Sequence, residues 1–283
     1  MQFEDSLQNA QFFLKNKLKK NWLVSKARNR LGGAVSAGEG LEERETLSAL
    51  AKYDFPSLPS VASVPDIREA KLNLVRDIKS ANSICDYGGL YFVHGKYLLE
   101  GAEAIGAKLA VEVDETPRAE FETNSKVFEE KTGGKVQYVQ GDFREPALFK
   151  KIPKVEVSLL FQVLLHQENA VEVIKNVLSK TQKYCCIAQP CLKESLFTLP
   201  NGCINLQFYS ENLKDELRSG AFWPKEPPTD RFRTDSWMWG QTTSYLISIL
   251  KGFGWEVDYA LVVKNGFGKH WEFPLLRFRP SGA

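Results

Sequence analysis

The stretch that decides the fold is Ser83-Ile-Cys-Asp-Tyr-Gly-Gly-Leu-Tyr-Phe-Val-His-Gly95, followed by Ala107-Lys-Leu-Ala-Val-Glu-Val-Asp114. It has the pattern of a buried strand, a glycine turn, a helix and a second strand that ends in an acid. In a doubly wound α/β sheet, this order builds the crevice that holds the ribose of an adenosine-containing ligand. The glycines let the backbone approach a ligand closely, and the acid can accept hydrogen bonds from both ribose hydroxyls.

From this stretch onward the chain alternates short apolar runs with helical patterns. The alternation predicts a Rossmann-like, mostly parallel sheet with right-handed crossovers. Predicted strands occupy residues 83–87, 108–113, 135–140, 155–161, 183–188, 255–263 and 269–278. Predicted helices occupy residues 91–105, 117–132, 168–180 and 242–252. No apolar run reaches the length of about 18 residues that a spanning helix needs.

Residues 1–80 precede this pattern and are predicted to form an N-terminal helical cap on an α/β domain that covers residues 81–283. Residues 1–30 carry seven Lys or Arg and two acids, a net charge of +5. A solvated face with a packed apolar stripe explains this charge. A homodimer through the N-terminal helices, a substrate contact, and contact with a membrane or nucleic acid are the alternatives.

The overall composition is ordinary for a globular protein. The net charge of the whole chain is only +2, which does not suggest a dedicated nucleic-acid binder. The five cysteines contain no CxxC pair of the kind that binds zinc. Three of them lie in apolar strand-like runs, where a free thiol acts as a small hydrophobic group. We therefore expect a reduced, cytoplasmic protein without a metal site.

The order of motifs resembles the class I S-adenosylmethionine-dependent methyltransferase family over roughly residues 80–280. Four segments match, in order, the family's glycine turn, ribose-binding acid, adenine-side acid and final hairpin turn: Asp86-Tyr-Gly-Gly89, Glu112-Val-Asp114, Gly141-Asp-Phe143 and Gly252-Phe-Gly-Trp255. The resemblance implies a seven-stranded sheet whose last strand is antiparallel. It also implies S-adenosylmethionine as the cofactor and S-adenosylhomocysteine as its product.

The resemblance further implies a set of cofactor-binding residues: Asp86, Gly88, Gly89, Asp114, Asp142, Phe143 and Gln162. For Asp86 and Asp114 the alternative role is to cap a following helix, and for Asp142 it is to form a turn. The chain departs from the family at Leu90 and Phe92, because the family usually has glycines at these two positions.

The segment that ends in Val163-Leu-Leu-His166, after the fourth predicted strand, resembles the small-molecule O-methyltransferase branch of the family. In that branch this histidine can be the general base. An unperturbed imidazole has a pKa of about 6.5, so His166 can accept a proton at neutral pH. The alternative is a structural histidine that binds a loop carbonyl. The branch usually has an acid and an aromatic residue after the histidine, where this chain has Gln167 and Glu168.

Residues 189–240 are rich in aromatic side chains and are predicted to form a lid over the methyl acceptor. Trp237 and Trp239 would point the same way in an extended segment, and with Gln241 they are the predicted substrate-binding residues. The alternative is an insertion that only covers the core.

Together these patterns predict an enzyme that transfers a methyl group to an oxygen or nitrogen of a small molecule in a biosynthetic pathway. Neither a nucleic acid nor a membrane is a predicted partner. The alternative function is a methyltransferase-like binding or scaffold protein that has lost the reaction, which the missing glycines motivate. A nicotinamide-dependent enzyme is disfavoured, because the turn lacks the GxGxxG spacing.

Overall fold

The computed structural model describes residues 58–90, 93–167, 169–194, 203–205, 239–265 and 269–282. The predictions for the helices within residues 1–57 therefore lie outside the described residues. The same is true of most of the predicted lid, including Trp237, and of Phe92 and Glu168.

The described residues form strands and helices at positions close to those predicted. The strands are β1 Ser60–Val61, β2 Ser83–Tyr87, β3 Leu109–Asp114, β4 Lys135–Gln140, β5 Val155–Phe161, β6 Thr181–Ala188, β7 Cys191–Leu192, β8 Cys203–Asn205, β9 Trp239–Gln241, β10 Trp255–Val263 and β11 Trp271–Pro280. The α-helices are α1 Ile67–Arg76, α2 Lys96–Ile105, α3 Ala119–Thr132, α4 Ala170–Lys180 and α5 Thr243–Gly252. Short 3₁₀ helices lie at Pro146–Lys150 and Leu164–His166.

The predicted sheet is present, with its strands in the order β4-β3-β2-β5-β6-β11-β10. Strands β2 to β6 are parallel, and β11 lies antiparallel between β6 and β10. The prediction of a Rossmann-like, mostly parallel sheet with an antiparallel last strand is therefore confirmed. Two short strands extend it, because β1 pairs with β10 and β7 pairs with β11.

Helices cover both faces of the sheet and divide the core into two layers. Helices α1, α2 and α3 contribute to one apolar cluster, and α4 and α5 contribute to the other. Because side chains alternate along a strand, Cys85 and Tyr87 of β2 pack in the layer of α4 and α5, whereas Ile84 packs in the layer of α1 and α2. Asp86 shares the face of Ile84, so its carboxylate is directed toward the layer that contains α1.

Residues 58–80, predicted as the end of the helical cap, supply β1 and α1 to this α/β unit. Helix α1 begins where the Asp66 side chain accepts a hydrogen bond from the Arg68 N–H at 2.7 Å. It ends at Arg76. Its neighbours are α2 and β11. None of the described helices is both long enough and apolar enough to cross a membrane.

The strand order places the predicted site at one edge of the sheet. The carboxyl ends of strands β2 to β6 lie along this edge. The strand order changes direction at β2, because β3 and β4 lie on one side of it and β5 and β6 lie on the other. Open α/β sheets bind their ligands at such a point. The last residues of these strands and the turns after them hold the described residues that the sequence assigns to cofactor and base.

Candidate functional site

The turn after β2 requires a glycine at its first position. Gly88 has a φ of 78°, in the left-handed region that side chains disfavour, and its N–H donates to the Val113 carbonyl at 2.8 Å. A methyl group at Gly88 would lie 3.4 Å from Val163 and 3.5 Å from Phe143. The Phe143 ring also packs edge-on against Tyr87. The structure thus brings together Gly88 and Phe143, two of the predicted cofactor-binding residues.

The second glycine of the turn lies against a carboxylate. A Cβ at Gly89 would come within 2.2 Å of Asp86 Oδ2, so only glycine leaves this carboxylate in place. The Gly89 N–H donates to Glu112 Oε1 at 3.0 Å. Gly89 therefore connects the acid of β2 with an acid of β3 that the sequence analysis does not select.

Asp86 is the most unusual group of the site. Its side chain is 1% exposed, and neither carboxylate oxygen has a hydrogen-bond partner among the described residues. Burial, reinforced by the charge of Asp114 and opposed by that of Lys71, raises the pKa of Asp86 to about 7. A buried polar group without partners costs free energy, and such groups are rare in folded proteins. This carboxylate is placed to receive a ligand's cation or hydrogen-bond donor.

Two acids of β3 lie beside Asp86. Glu112 is paired with Asp86 in the parallel register, it is fully buried, and its Oε2 has no partner among the described residues. Burial, reinforced by Asp86 and Asp114, raises the pKa of Glu112 well above its ordinary value. Asp114 ends the strand and accepts hydrogen bonds from the N–H groups of Leu90 at 3.3 Å and Thr116 at 3.2 Å. Burial raises its pKa as well.

The alternative role of Asp114 as a helix cap is wrong, because α3 begins after Arg118 without a side-chain cap and Asp114 instead bonds the turns at Leu90 and Thr116. Each of its oxygens accepts one backbone hydrogen bond, and a carboxylate oxygen has a second lone pair. The carboxylate keeps acceptor capacity for the ribose hydroxyls, and this role remains a prediction.

A buried lysine faces the same region and was not predicted. Lys71 of α1 is 2% exposed, and its Nζ donates a hydrogen bond to Gln162 Oε1. Burial, opposed by the charge of Asp86, lowers the pKa of Lys71 to about 7. Three ring centroids surround the amine at 5.0, 5.9 and 5.5 Å: Tyr97, Phe161 and Phe273.

Gln162 holds this lysine from the end of β5. Its backbone has a φ of 60°, which is uncommon for any residue other than glycine, and its N–H donates to the Ala188 carbonyl at 2.8 Å. Non-glycine residues in this region cluster at functional sites. The predicted contact of Gln162 with a cofactor remains a prediction, and the structure adds its contact with Lys71.

Asp142, the third predicted acid, lies in a different environment. Its Oδ1 accepts a hydrogen bond from the Arg144 backbone N–H at 2.8 Å, and the Arg144 guanidinium bonds both of its oxygens. Burial opposes ionisation, but the hydrogen bonds from Arg144 outweigh it and hold the pKa of Asp142 below its ordinary value. The turn that the sequence analysis gave as the alternative is formed. Contact with adenine remains a prediction.

His166 lies at the end of a 3₁₀ helix after β5. Burial lowers its pKa to about 4, so the imidazole is neutral at pH 7. Its backbone N–H donates to the Val163 carbonyl at 3.0 Å. No described residue hydrogen-bonds its ring, so the alternative of a histidine bonded to a loop carbonyl finds no partner among them.

Two buried amides join this 3₁₀ helix to the end of the predicted lid. Gln189 follows β6 and is fully buried, and its Nε2 donates to Gln241 Oε1 at 2.8 Å. Gln241 Nε2 in turn donates to the Leu164 carbonyl at 3.4 Å. Strand β9, which carries Trp239 and Gln241, is thereby fixed beside His166. The indole N–H of half-buried Trp239 and Oε1 of Gln189 have no hydrogen-bond partner among the described residues.

Solved structures similar to this chain share its fold. The [4+2]-cyclase SpnF has a TM-score of 0.50 and 12% identity, over 84% of this chain and 93% of its own. An O-methyltransferase family protein from Burkholderia thailandensis has a TM-score of 0.49 and 14% identity, over 77% of this chain. Magnesium protoporphyrin IX methyltransferase (ChlM) from Synechocystis PCC 6803, with bound SAM, has a TM-score of 0.45 and 12% identity, over 95% of this chain and 96% of its own.

The likeness to SpnF shows a fold alone, and the activity is argued from the residues. The strand order and the antiparallel last strand are those expected for the class I S-adenosylmethionine-dependent methyltransferase fold, as the sequence resemblance predicts. The chain spans 57% of the Burkholderia protein and 53% of the mitomycin 7-O-methyltransferase MmcR. No protein-family model and no curated protein matches the sequence.

Proposed function

We propose that this protein transfers a methyl group from S-adenosylmethionine to an oxygen or nitrogen of a small molecule. The observation that carries the proposal is the carboxylate of Asp86, which is buried and unpartnered at the glycine turn of a methyltransferase fold. The turn approaches the carboxylate so closely that a methyl group on Gly89 would displace it.

The residues at this edge fit such a cofactor. Its sulfonium and amino groups are cationic, and Asp86 and Asp114 can supply negative charge from two adjacent strands. Asp114 keeps lone pairs for ribose hydroxyls, and Phe143 lies beside Gly88, on the side where the resemblance implies adenine. When bound, the cofactor would supply an electrophilic methyl group. The protein would hold the cofactor, exclude water and orient the acceptor.

His166 can remove a proton from the acceptor, because its imidazole is neutral at physiological pH. The burial that lowers its pKa to about 4 also makes the imidazolium form costly. A hydroxyl that loses its proton readily, such as a phenol, therefore suits this base better than an aliphatic alcohol. An amine that enters the site uncharged needs no base, and His166 would then only position it.

The neighbouring polar groups suit an uncharged acceptor. The free Oε1 of Gln189 can accept a hydrogen bond, and the indole N–H of Trp239 can donate one. Neither group carries a charge that would pair with an ionic substrate. A planar molecule with hydroxyl or amine groups matches the aromatic face and these hydrogen-bonding atoms.

The proposal is tested by incubating the protein with methyl-labelled S-adenosylmethionine and a panel of phenols and aromatic amines. We expect label in at least one acceptor and an equal amount of S-adenosylhomocysteine. The Asp86→Asn variant should lose this activity because its cofactor affinity falls. If the protein binds S-adenosylmethionine and yet no acceptor in a broad panel gains label, methyl transfer is the wrong function.

That outcome would favour the second candidate, a methyltransferase-like protein that binds the cofactor without transferring methyl. Leu90 stands where the family usually has a glycine. It is 1% exposed, and its N–H is already engaged by Asp114. The similar structure of SpnF is named as a [4+2]-cyclase, so the fold is not confined to methyl transfer.

A further inference from the structure

Two opposite charges are buried near the turn after β2 without forming an ion pair. Lys71 has three hydrogen-bond donors and uses one of them, on Gln162, among the described residues. Asp86 uses none of its acceptor sites, as described above. The two charges are close enough for each to shift the pKa of the other.

Such an arrangement is costly in a free protein. A buried ion pair repays part of its desolvation cost through direct contact, and one without contact repays less. Here the ammonium lacks a carboxylate and the carboxylate lacks an ammonium. A ligand that carries both a carboxylate and an ammonium group, a zwitterion, would supply both missing partners.

We propose that Lys71 and Gln162 form a carboxylate-binding subsite, and that Lys71 and Asp86 together select a ligand with a zwitterionic amino-acid end. The inference rests on the proposed function, because the homocysteine part of S-adenosylhomocysteine is such an end. It assigns specificity to a lysine of α1, outside every segment that resembles the methyltransferase family.

The surroundings of Lys71 strengthen its selectivity for charge. The three rings around the amine exclude water, so a hydrogen bond from the ammonium to a carboxylate would be stronger than at the surface. Gln162 orients the amine and carries no charge, so it does not neutralise it. An uncharged ligand end would leave both buried charges without partners.

The subsite has a distinctive pH dependence. A zwitterion needs Lys71 protonated and Asp86 ionised. Raising the pH removes the proton from Lys71, and lowering the pH adds one to Asp86. Since both groups titrate near pH 7, affinity for the zwitterion should be greatest near neutrality and fall on both sides. Each fall reflects the shrinking fraction of protein in the competent charge state.

Other charged or titratable groups also act on this pair. They are Arg68 on α1, Tyr97 on α2, and Glu112 and Asp114 on β3. The charge of Arg68 is one of the causes of the lowered pKa of Lys71. Burial raises the pKa of Tyr97 to about 12, so it does not titrate near neutrality. The two acids of β3 influence the fall in affinity at low pH, because they act on the pKa of Asp86. The fall in affinity at high pH depends on Lys71.

The experiment is a calorimetric titration of the full chain between pH 5.5 and 8.5 with two ligands. The first ligand is S-adenosylhomocysteine, and the second is 5′-methylthioadenosine, which lacks the amino-acid end. The variants are Lys71→Met, which keeps the length of the side chain, and Gln162→Leu. Lys96→Met on α2, whose exposed amine pairs with Glu100, is the matched control.

For the wild type and Lys96→Met, we expect affinity for S-adenosylhomocysteine to peak near pH 7 and to fall about tenfold or more by pH 8.5. Lys71→Met should abolish the alkaline fall and weaken binding about tenfold or more at pH 7. Gln162→Leu should weaken binding of this ligand less. Affinity for 5′-methylthioadenosine should not respond to pH or to these variants.

Unchanged affinity of folded Lys71→Met for S-adenosylhomocysteine, with the alkaline fall intact, would overturn the subsite. Equal loss for both ligands would also overturn it, because Lys71 would then support the fold of the site. Binding of neither ligand to the wild type would instead refute the proposed function, so the two failures are distinguishable. If circular dichroism shows that Lys71→Met is unfolded, Gln162→Leu decides the question. A Gln162→Leu protein that binds S-adenosylhomocysteine with the affinity and the pH profile of the wild type would overturn the subsite.

Discussion

The two halves of the ligand-binding edge differ in charge. The half formed by β2 and β3 has three acids, Asp86, Glu112 and Asp114, with a lysine nearby. The half formed by β5 and β6 presents a neutral imidazole, His166, and two joined amides at the end of the predicted lid. Along one edge of the sheet, the first half therefore suits a charged ligand and the second half suits an uncharged ligand.

This difference suits a reaction in which a cationic donor meets a neutral acceptor. Burying carboxylates costs free energy, and a ligand that brings positive charge to them offsets this cost. Among the described residues that directly follow β5 and β6 none is acidic, and the free hydrogen-bonding atoms there select a ligand by the direction of its hydrogen bonds. Changes in the first half should therefore alter cofactor binding, and changes in the second should alter acceptor binding or rate.

The largest effect is expected at His166. If the acceptor is a hydroxyl, His166→Ala should slow turnover by about 10²–10⁴-fold, because proton removal loses its base. Cofactor affinity should not change. Since burial lowers the pKa of the imidazole to about 4, the wild-type rate at saturating cofactor should decline only as the pH approaches that value, well below the ordinary histidine range. Full-speed turnover of a hydroxyl substrate by His166→Ala would refute the role.

A smaller loss is expected at Asp114, in the charged half. Asp114→Ala removes the acceptor for the ribose hydroxyls, and binding of S-adenosylhomocysteine should weaken by about 1–3 kcal/mol in a calorimetric titration. Asp142→Ala is the contrasting variant, because Arg144 already occupies the Asp142 carboxylate. If the Asp114→Ala protein is folded and binds S-adenosylhomocysteine with wild-type affinity, Asp114 does not contact the ribose.

An effect of about tenfold on acceptor affinity is expected in the neutral half. Gln241→Leu leaves Gln189 and the Leu164 carbonyl without their hydrogen bonds, at a cost of about 1–3 kcal/mol. Trp239→Ala removes an aromatic face from the same strand. Both variants should raise KM for the acceptor and leave the affinity for S-adenosylhomocysteine unchanged. If cofactor binding weakens as much as acceptor binding, the two halves are not separate.

The smallest effect concerns stability without ligand. Asp86 has a folded pKa of about 7, above the unfolded value, so the folded state holds a proton that the unfolded state has lost between about pH 4 and 7. The free energy of unfolding contributed by Asp86 therefore falls as the pH rises through this window. Asp86→Asn should melt several degrees higher than the wild type at pH 8, and at the same temperature at pH 4. A variant less stable than the wild type at pH 8 would show that this carboxylate is stabilised by the fold.

Much of the sheet could be predicted, because strand periodicity is a local property. The strands at residues 135–140, 155–161 and 255–263 have the predicted bounds. Glu112 also had a local signal, since it shares a strand face with Asp114 by the two-residue period. The matching segment Glu112-Val-Asp114 assigns the ligand contact to the acid that ends the strand, and it gives Glu112 no role.

Lys71 shows what a sequence cannot supply. It occupies a position in the apolar stripe of α1 formed by Ile67, Leu74 and Val75. A lysine in such a stripe can extend its amine to solvent, and the sequence does not reveal whether it does. Its contact with Gln162 joins residues 91 positions apart and depends on how α1 packs against the sheet.

The central claim is that the charged half binds the adenosyl cofactor. Calorimetric titration of the wild-type protein at pH 7 with S-adenosylhomocysteine, and separately with NAD, tests it most directly. The account predicts saturable binding of S-adenosylhomocysteine and no binding of NAD. Absence of heat and of any thermal stabilisation at millimolar S-adenosylhomocysteine, or tighter binding of NAD, would contradict it.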